Sequence, residues 1–344
     1  MRSPVRGWWT SAPRYAAVRG TADPARTVAG VSSTARPRTA PSPPTDDVVG
    51  GATTGAVGAR DGGSGAVRTP AELDVALATA LQGVDSVLVA FSGGADSALV
   101  LAGAVRALGP DRVAAATAVS DAVPGAEVLA ARALADRLGV AWHEPRTEEM
   151  AREGYRANGG DRCYFCKSEL MSVLVPLAHR LGLARVATGT NADDLRAGFR
   201  PGIRAATEAG ALTPLADAGM TKVEVRSLSA HWGLPTWDKP AAACLSSRIA
   251  FGTPITPALL RRVERAEAGV RALLGGLVSD LRVRDLGDGT ARVELDAACL
   301  DGLDPAAREA VAAEVRGHGH TVVELRAFRS GAMNDLLAAP EAYR

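Results

Sequence analysis

One hexapeptide limits this chain more than any other feature: Ser92-Gly93-Gly94-Ala95-Asp96-Ser97, set between the apolar run Ser86-Val87-Leu88-Val89-Ala90-Phe91 and a stretch of helical periodicity from Ser97 to Leu108. A short apolar run bounded by glycines reads as a buried strand, so the sequence predicts strand, tight turn, helix. A helix that starts directly after such a turn presents N–H groups without internal partners and the positive end of its dipole, which together seat an anion. Gly93 and Gly94 let the backbone come close to it. No G-x-x-x-x-G-K-[ST] sequence is present, so the lysine of a Walker loop is missing. Asp96 is placed to hold Mg²⁺ on phosphates, and the hydroxyls of Ser92 and Ser97 to donate to phosphate oxygens. The plainer reading is a strand-to-helix turn in which Asp96 or Ser97 only caps the helix.

The flanking sequence extends this unit. Thr69 before Pro70-Ala71-Glu72-Leu73 reads as the N-cap of a helix running towards Leu81. A strand at Val113 to Val119, a helix from Ala126 to Leu138, a third strand around Trp142, a helix after Cys166 and a fourth strand at Arg185-Val186-Ala187-Thr188 follow. Such alternation predicts an α/β fold with a parallel sheet covered by helices on both faces. From about residue 241 the pattern changes. Prolines and glycines punctuate a loop from Pro235 to Pro257, and a charged helix covers Ala258 to Leu274. Strands at Leu281 to Leu286 and Ala291 to Leu295 flank Gly287-Asp288-Gly289, and a helix and strand close the unit near Leu325. Residues 71–240 and 241–344 are therefore expected to form an α/β domain and a small C-terminal α+β domain.

Residues 1–70 are rich in Arg, Pro, Ser, Thr, Gly and Ala and show neither period. They are expected to be a disordered extension without catalytic role, or the product of a start codon placed too early, in preference to a transit peptide, because no amphipathic apolar stripe is present. Lys and Arg total 39 against 38 acidic residues, so no net basic field favours nucleic acid or an anionic membrane. The most apolar stretch, Leu99 to Ala118, is broken by Arg106, Pro110, Asp111 and Arg112, which argues against a membrane span. Four cysteines without a secretory signal fit ligands or catalytic thiols in a reducing cytoplasm better than a disulfide framework.

Cys163 and Cys166 stand three residues apart, and Cys244 follows about eighty residues later in Ala243-Cys244-Leu245-Ser246-Ser247-Arg248. Three thiolates are too few for a closed four-cysteine zinc site. They suit a four-iron, four-sulfur cluster with one iron open to an extra ligand such as sulfide. Zinc or another metal, and free thiols, are the alternatives. Cys299 reads as a small buried hydrophobe.

The hexapeptide resembles the SGGxDS signature of the PP-loop superfamily. That resemblance implies a Rossmann-like, adenine nucleotide alpha hydrolase-like domain that binds ATP with Mg²⁺ and breaks the α–β phosphate bond. Further segments carry a more specific likeness: Asp161-Arg162-Cys163-Tyr164-Phe165-Cys166-Lys167, Gly189-Thr190-Asn191-Ala192-Asp193-Asp194, Arg200-Pro201-Gly202, Lys239-Pro240-Ala241, Cys244-Leu245-Ser246-Ser247-Arg248 and Phe328-Arg329-Ser330-Gly331-Ala332-Met333-Asn334-Asp335. Together these resemble the LarE family over about residues 72 to 336. The family's members are ATP-dependent sulfur transferases that adenylate a carboxylate of pyridinium-3,5-biscarboxylic acid mononucleotide and convert it to a thiocarboxylate for the nickel-pincer nucleotide cofactor.

The likeness assigns roles. Gly189, Asn191, Asp194 and Arg200 join the hexapeptide at ATP, and Lys167 and Asp96 join the cysteines as catalytic groups. Ser247, Arg248, Arg282 and Arg284 are implied at the substrate phosphate, and Glu267 and Glu294 at a divalent ion. Period-two spacing aims Arg282 and Arg284 the same way, which suits a phosphate; without the resemblance each is a solvated charge. One branch of the family sacrifices the sulfur of a cysteine whose place is taken here by Ala243. Cys163, Cys166 and Cys244 instead match the branch with a [4Fe-4S] cluster that turns over with an external sulfide donor. The family also implies a homo-oligomer.

Two other readings share parts of this pattern. A tRNA thiolation enzyme has the same loop and often three cysteines, but it needs a basic groove for RNA. A non-enzymatic ATP-binding or metal-storage module would not release pyrophosphate.

Overall fold

In the first sheet, Val87–Ala90 (β1) is apolar along its whole length because both its faces are covered. The computed structural model describes residues 68–197, 200–240, 243–329 and 332–336. The first 67 residues, where the disordered extension was expected, lie outside these, as do Ala241, Ser330 and Gly331. Helix α1 (Pro70–Ala80) begins where expected, with Thr69 and Glu72 closing a reciprocal capping box and Pro70 in the first turn. After β1, α2 (Ala95–Leu108) starts two residues earlier than the periodicity indicates, so Ala95, Asp96 and Ser97 form its first turn. Next come β2 (Val113–Ala116), α3 (Gly125–Leu138) and β3 (Ala141–His143). The short α4 (Glu153–Arg156) precedes α5 (Arg162–Arg180), which leads to β4 (Arg185–Ala187).

The four strands are parallel in the order β3-β2-β1-β4. Two successive crossovers step outward from β1, and the chain then returns to place β4 on its other side. Helices α2 and α3 consequently cover one face, with Val87 and Val89 packed in their core, and α5 covers the other, where Leu88 and Val186 meet Met171 and Leu174. Each such leucine or valine side chain contributes about 1.5–3 kcal/mol by leaving water. The order reverses between β1 and β4, and the carboxyl ends of those strands open a crevice, the usual ligand position of such sheets. Four further helices follow: α6 (Ala192–Arg196), α7 (Pro201–Glu208), α8 (Pro214–Asp217) and α9 (Lys222–His231).

The C-terminal unit is α+β, as expected. Helix α10 (Pro257–Leu274) packs on a three-stranded sheet of β5 (Leu281–Gly287), β6 (Thr290–Leu295) and β7 (Val322–Ala327), with α11 (Ala297–Gly302) and α12 (Pro305–Gly317) between the last two strands. β5 and β6 are antiparallel, and Gly287, Asp288 and Gly289 all take positive φ at their turn. β7 runs parallel to β6. The core of this unit also takes in Ala122 and Tyr155 from the first half of the chain. Among the described residues no helix is long and apolar enough to cross a membrane.

Candidate active site

No side chain caps the N-terminus of α2, so its first N–H groups face the crevice, where a cavity of about 790 Å³ opens. That volume falls in the range of roughly 300–1,000 Å³ common for small-molecule sites. Ser92, Gly94, Asp96 and Ser97 line one wall, and Thr188, Gly189, Thr190, Asp194 and Arg200 come from beyond β4. The loop is braced from within. Ser97 Oγ donates to the Gly94 carbonyl at 3.2 Å and accepts from Ser92 N at 3.3 Å. Gly93 takes φ +71°, a left-handed conformation that glycine adopts without strain. Gly189 is required by proximity, because a Cβ there would lie 2.8 Å from Ser97 N.

Asn191 does two jobs. Its Oδ1 caps α6, accepting from Asp193 and Asp194, while its Nδ2 donates to Asp96 Oδ1 at 3.1 Å. The other carboxylate oxygen of Asp96 lies 2.5 Å from Lys222 Nζ. Lys239 Nζ donates to the Gly93 carbonyl at 3.0 Å and to Glu127 Oε2 at 2.6 Å. Sequence reasoning missed Lys222 and Glu127, and held Lys239 only as part of a motif. Lys222 directly follows the N-cap Thr221 and looks like an ordinary first-turn surface residue; only the tertiary fold carries it to the loop. Arg200 lies 3.8 Å from Asp194, whereas Arg204 turns away to Glu208 and the Tyr164 ring.

Cys163, Cys166 and Cys244 line the same cavity. The expected helix begins before the cysteines rather than after them, so Cys163 and Cys166 occupy the first two turns of α5 on one face. Burial pushes the Cys166 thiol up to about 12, reinforced by Cys244 and Glu149; burial raises Cys163 too, opposed by Arg162. The three thiols therefore feel one another. Among the described residues, however, no three His, Cys, Asp or Glu side chains are gathered as a ready metal-ion cage. Lys167 also lines the cavity; burial lowers its pKa, and the neighbouring Cys166 and Cys163 oppose this. Buried Glu149, bonded to Ser120, completes this wall and was not anticipated. Cys299 is buried in the C-terminal core, as read.

Ser247, Arg248, Arg282 and Arg284 do not line this cavity; they form a separate group in which the three arginines are buried. Arg248 Nη1 donates to the carbonyls of Ala243 at 2.6 Å and Cys244 at 3.2 Å, while its Nε and Nη2 bind the two carboxylate oxygens of Glu267. Arg284 pairs with Glu294 at 2.8 Å and donates to the Ser247 carbonyl at 3.0 Å. Arg282 donates to the Leu281 carbonyl, and its pKa is lowered by burial and then by Arg248. Arg248, Arg282 and Arg284 are thus packed together with Glu267 and Glu294, and Asp280 also acts on Arg282. A divalent ion at Glu267 and Glu294 would have to take those carboxylates from Arg248 and Arg284.

A reversing parallel sheet, an uncapped helix behind Ser92–Ser97 and a cavity at the switch point define an ATP pyrophosphatase domain of the PP-loop type. The NAD synthase family model matches residues 75–248. An uncharacterised protein of Synechocystis is 43% identical over 257 residues, 74% of this chain and 94% of that protein. The pyridinium-3,5-bisthiocarboxylic acid mononucleotide synthase of Lactiplantibacillus plantarum is 36% identical over 262 residues, 76% of this chain and 93% of that protein. The chain belongs to the LarE family of PP-loop enzymes, and it is an ATP-dependent enzyme that forms AMP and pyrophosphate.

Proposed function

We propose that this enzyme is a sulfur transferase that converts a carboxylate of pyridinium-3,5-biscarboxylic acid mononucleotide to a thiocarboxylate, with sulfur delivered at the Cys163, Cys166, Cys244 trio. One observation carries the reading: the nucleotide loop and the three thiols line a single cavity. The name of the Lactiplantibacillus relative supports the substrate class. In the first step a substrate carboxylate oxygen attacks the α-phosphorus, the bond to the β-phosphate breaks and pyrophosphate leaves. Backbone N–H groups at the start of α2, with Arg200, hold the phosphates, and Asp96 is the carboxylate that would meet Mg²⁺. In the second step a sulfide sulfur attacks the acyl carbon and AMP departs with the original carboxylate oxygen, leaving the thiocarboxylate.

Lys167, on the cavity wall with Cys163 and Cys166, offsets negative charge on the acyl phosphate. Ser247, Arg248, Arg282 and Arg284 receive the mononucleotide phosphate, with Glu267 and Glu294 aiming the guanidiniums. The donor set of three thiols sharing one cavity suits a [4Fe-4S] cluster, which Cys163, Cys166 and Cys244 would hold and which would supply a bound sulfide when present. Ala243 removes the sulfur a sacrificial route would need. The family resemblance further supports a cytoplasmic homo-oligomer.

Anaerobic purification with iron and sulfide analysis, followed by a turnover assay with added sulfide, tests this reading. Several thiocarboxylates per polypeptide are expected. A single one, with a cysteine left as dehydroalanine, contradicts it; so does steeply salt-dependent binding of tRNA with no use of the pyridinium mononucleotide.

A further inference from the structure

Arg162 opens α5 one residue before Cys163 and is only 6% exposed. Its Nη1 donates to the Ser246 carbonyl at 3.0 Å, 84 residues away in sequence and two past Cys244. The same nitrogen donates to Asn158 Oδ1 at 2.5 Å. Asn158 in turn donates from Nδ2 to the carbonyls of Ala250 at 2.8 Å and Thr253 at 2.9 Å. It holds a left-handed conformation at φ +55°, which asparagine tolerates better than most residues. The Phe251 ring lies 5.5 Å from the guanidinium carbon. One side chain thus joins the helix that carries two cysteines to the loop that carries the third.

The charge of Arg162 is the second observation. Among the described residues it forms no ion pair, its hydrogen bonds going to neutral groups, although it is buried and lines the cavity. A buried cation without a counter-ion is costly and is retained where an anion visits. Cys163, the next residue of α5, and Cys244 line the same cavity with it.

We propose that Arg162 is the positioning residue of the thiol site: it keeps the Cys244 loop docked on α5 and is the resident counter-charge for three thiolates on one thiophilic metal centre. This rests on the three-thiol reading above. Two further contacts hold the same loop, Leu245 N to the Ala122 carbonyl at 2.9 Å and Tyr155 Oη with Ser246 Oγ at 2.5 Å. Loss of Arg162 therefore loosens the third thiol without releasing the whole segment.

The test is a cadmium titration of the reduced, metal-free full-length chain, read by sulfur-to-cadmium charge-transfer absorbance, with Cys244→Ser as the two-thiol reference. Wild type is expected to show a stronger band per bound cadmium than Cys244→Ser. Arg162→Gln is expected to fall to the Cys244→Ser band, with affinity lowered about tenfold, the usual scale for losing an outer-shell partner. Arg162→Lys keeps the charge but not the planar fork. It is expected to lose the third thiolate with a smaller fall in affinity, and it carries the test if the glutamine variant does not fold, as judged by thermal unfolding. A wild-type band and affinity in either folded variant overturns the proposal. A wild-type band no stronger than that of Cys244→Ser instead overturns the three-thiol reading on which it rests.

Discussion

Lys222 and Asp96, 126 residues apart in sequence, meet at 2.5 Å between Nζ and Oδ2, and this contact gives the nucleotide loop a cation that its hexapeptide lacks. The other Asp96 oxygen is taken by Asn191. Replacing Lys222 with Met leaves a carboxylate facing a triphosphate with no ammonium beside it. Calorimetric ATP binding is expected to weaken about tenfold in Lys222→Met without Mg²⁺, the scale of one charged hydrogen bond, and to recover in part when Mg²⁺ is added. Equal affinity in both proteins without Mg²⁺ would show that Lys222 is only a surface partner.

Gly189 sets how closely β4 approaches the loop. A methyl group there meets Ser97 N at 2.8 Å and the Asp96 carbonyl carbon at 3.1 Å, both backbone atoms that cannot rotate away. Gly189→Ala is expected to destabilise the chain by about 1–3 kcal/mol in denaturant unfolding. Nucleotide binding should weaken with it, because the shift falls on the N–H groups proposed to hold phosphate. An unchanged midpoint with unchanged binding would mean that the loop has slack there.

The loop and its sheet were legible in the sequence because local signals agreed: an apolar strand, two glycines and a helix that can start only after them. The cysteine trio was legible as a set of residue types. Less legible was what lies between the motifs. Lys222, Glu127, Glu149 and Arg162 are ordinary charged residues until the β4 crossover and the return of residues 243–255 bring partners to them. The arginines at 282 and 284 share a strand face as their spacing implies, but the antiparallel register sets Glu294 opposite Arg282, and its carboxylate pairs diagonally with Arg284 instead.

His320 carries a pH prediction. It is 2% exposed, and neither ring nitrogen has a hydrogen-bond partner among the described residues. Burial lowers its pKa below 6.5, helped by Arg262 and His318 and opposed by Asp285. The folded chain therefore keeps it neutral while the unfolded chain takes up a proton as pH drops through about 6.5. Its stabilisation is complete above that value and declines as pH falls towards the lower folded pKa, by up to roughly 1.4 kcal/mol per pH unit. Urea unfolding from pH 7.5 to 5 should show that slope, and His320→Leu should flatten it. An equal slope in both proteins would place the pH sensitivity elsewhere. Glu224, held at about 2 by Arg68, acts in a separate window below 4.5.

The most direct measurement follows oxygen from the substrate. With ¹⁸O in the carboxylates of the pyridinium mononucleotide, and with ATP, Mg²⁺ and sulfide supplied, each thiocarboxylate formed should be matched by one AMP carrying a single ¹⁸O on its phosphate. ADP as product, or AMP without label, would contradict activation of a carboxylate at Ser92–Ser97.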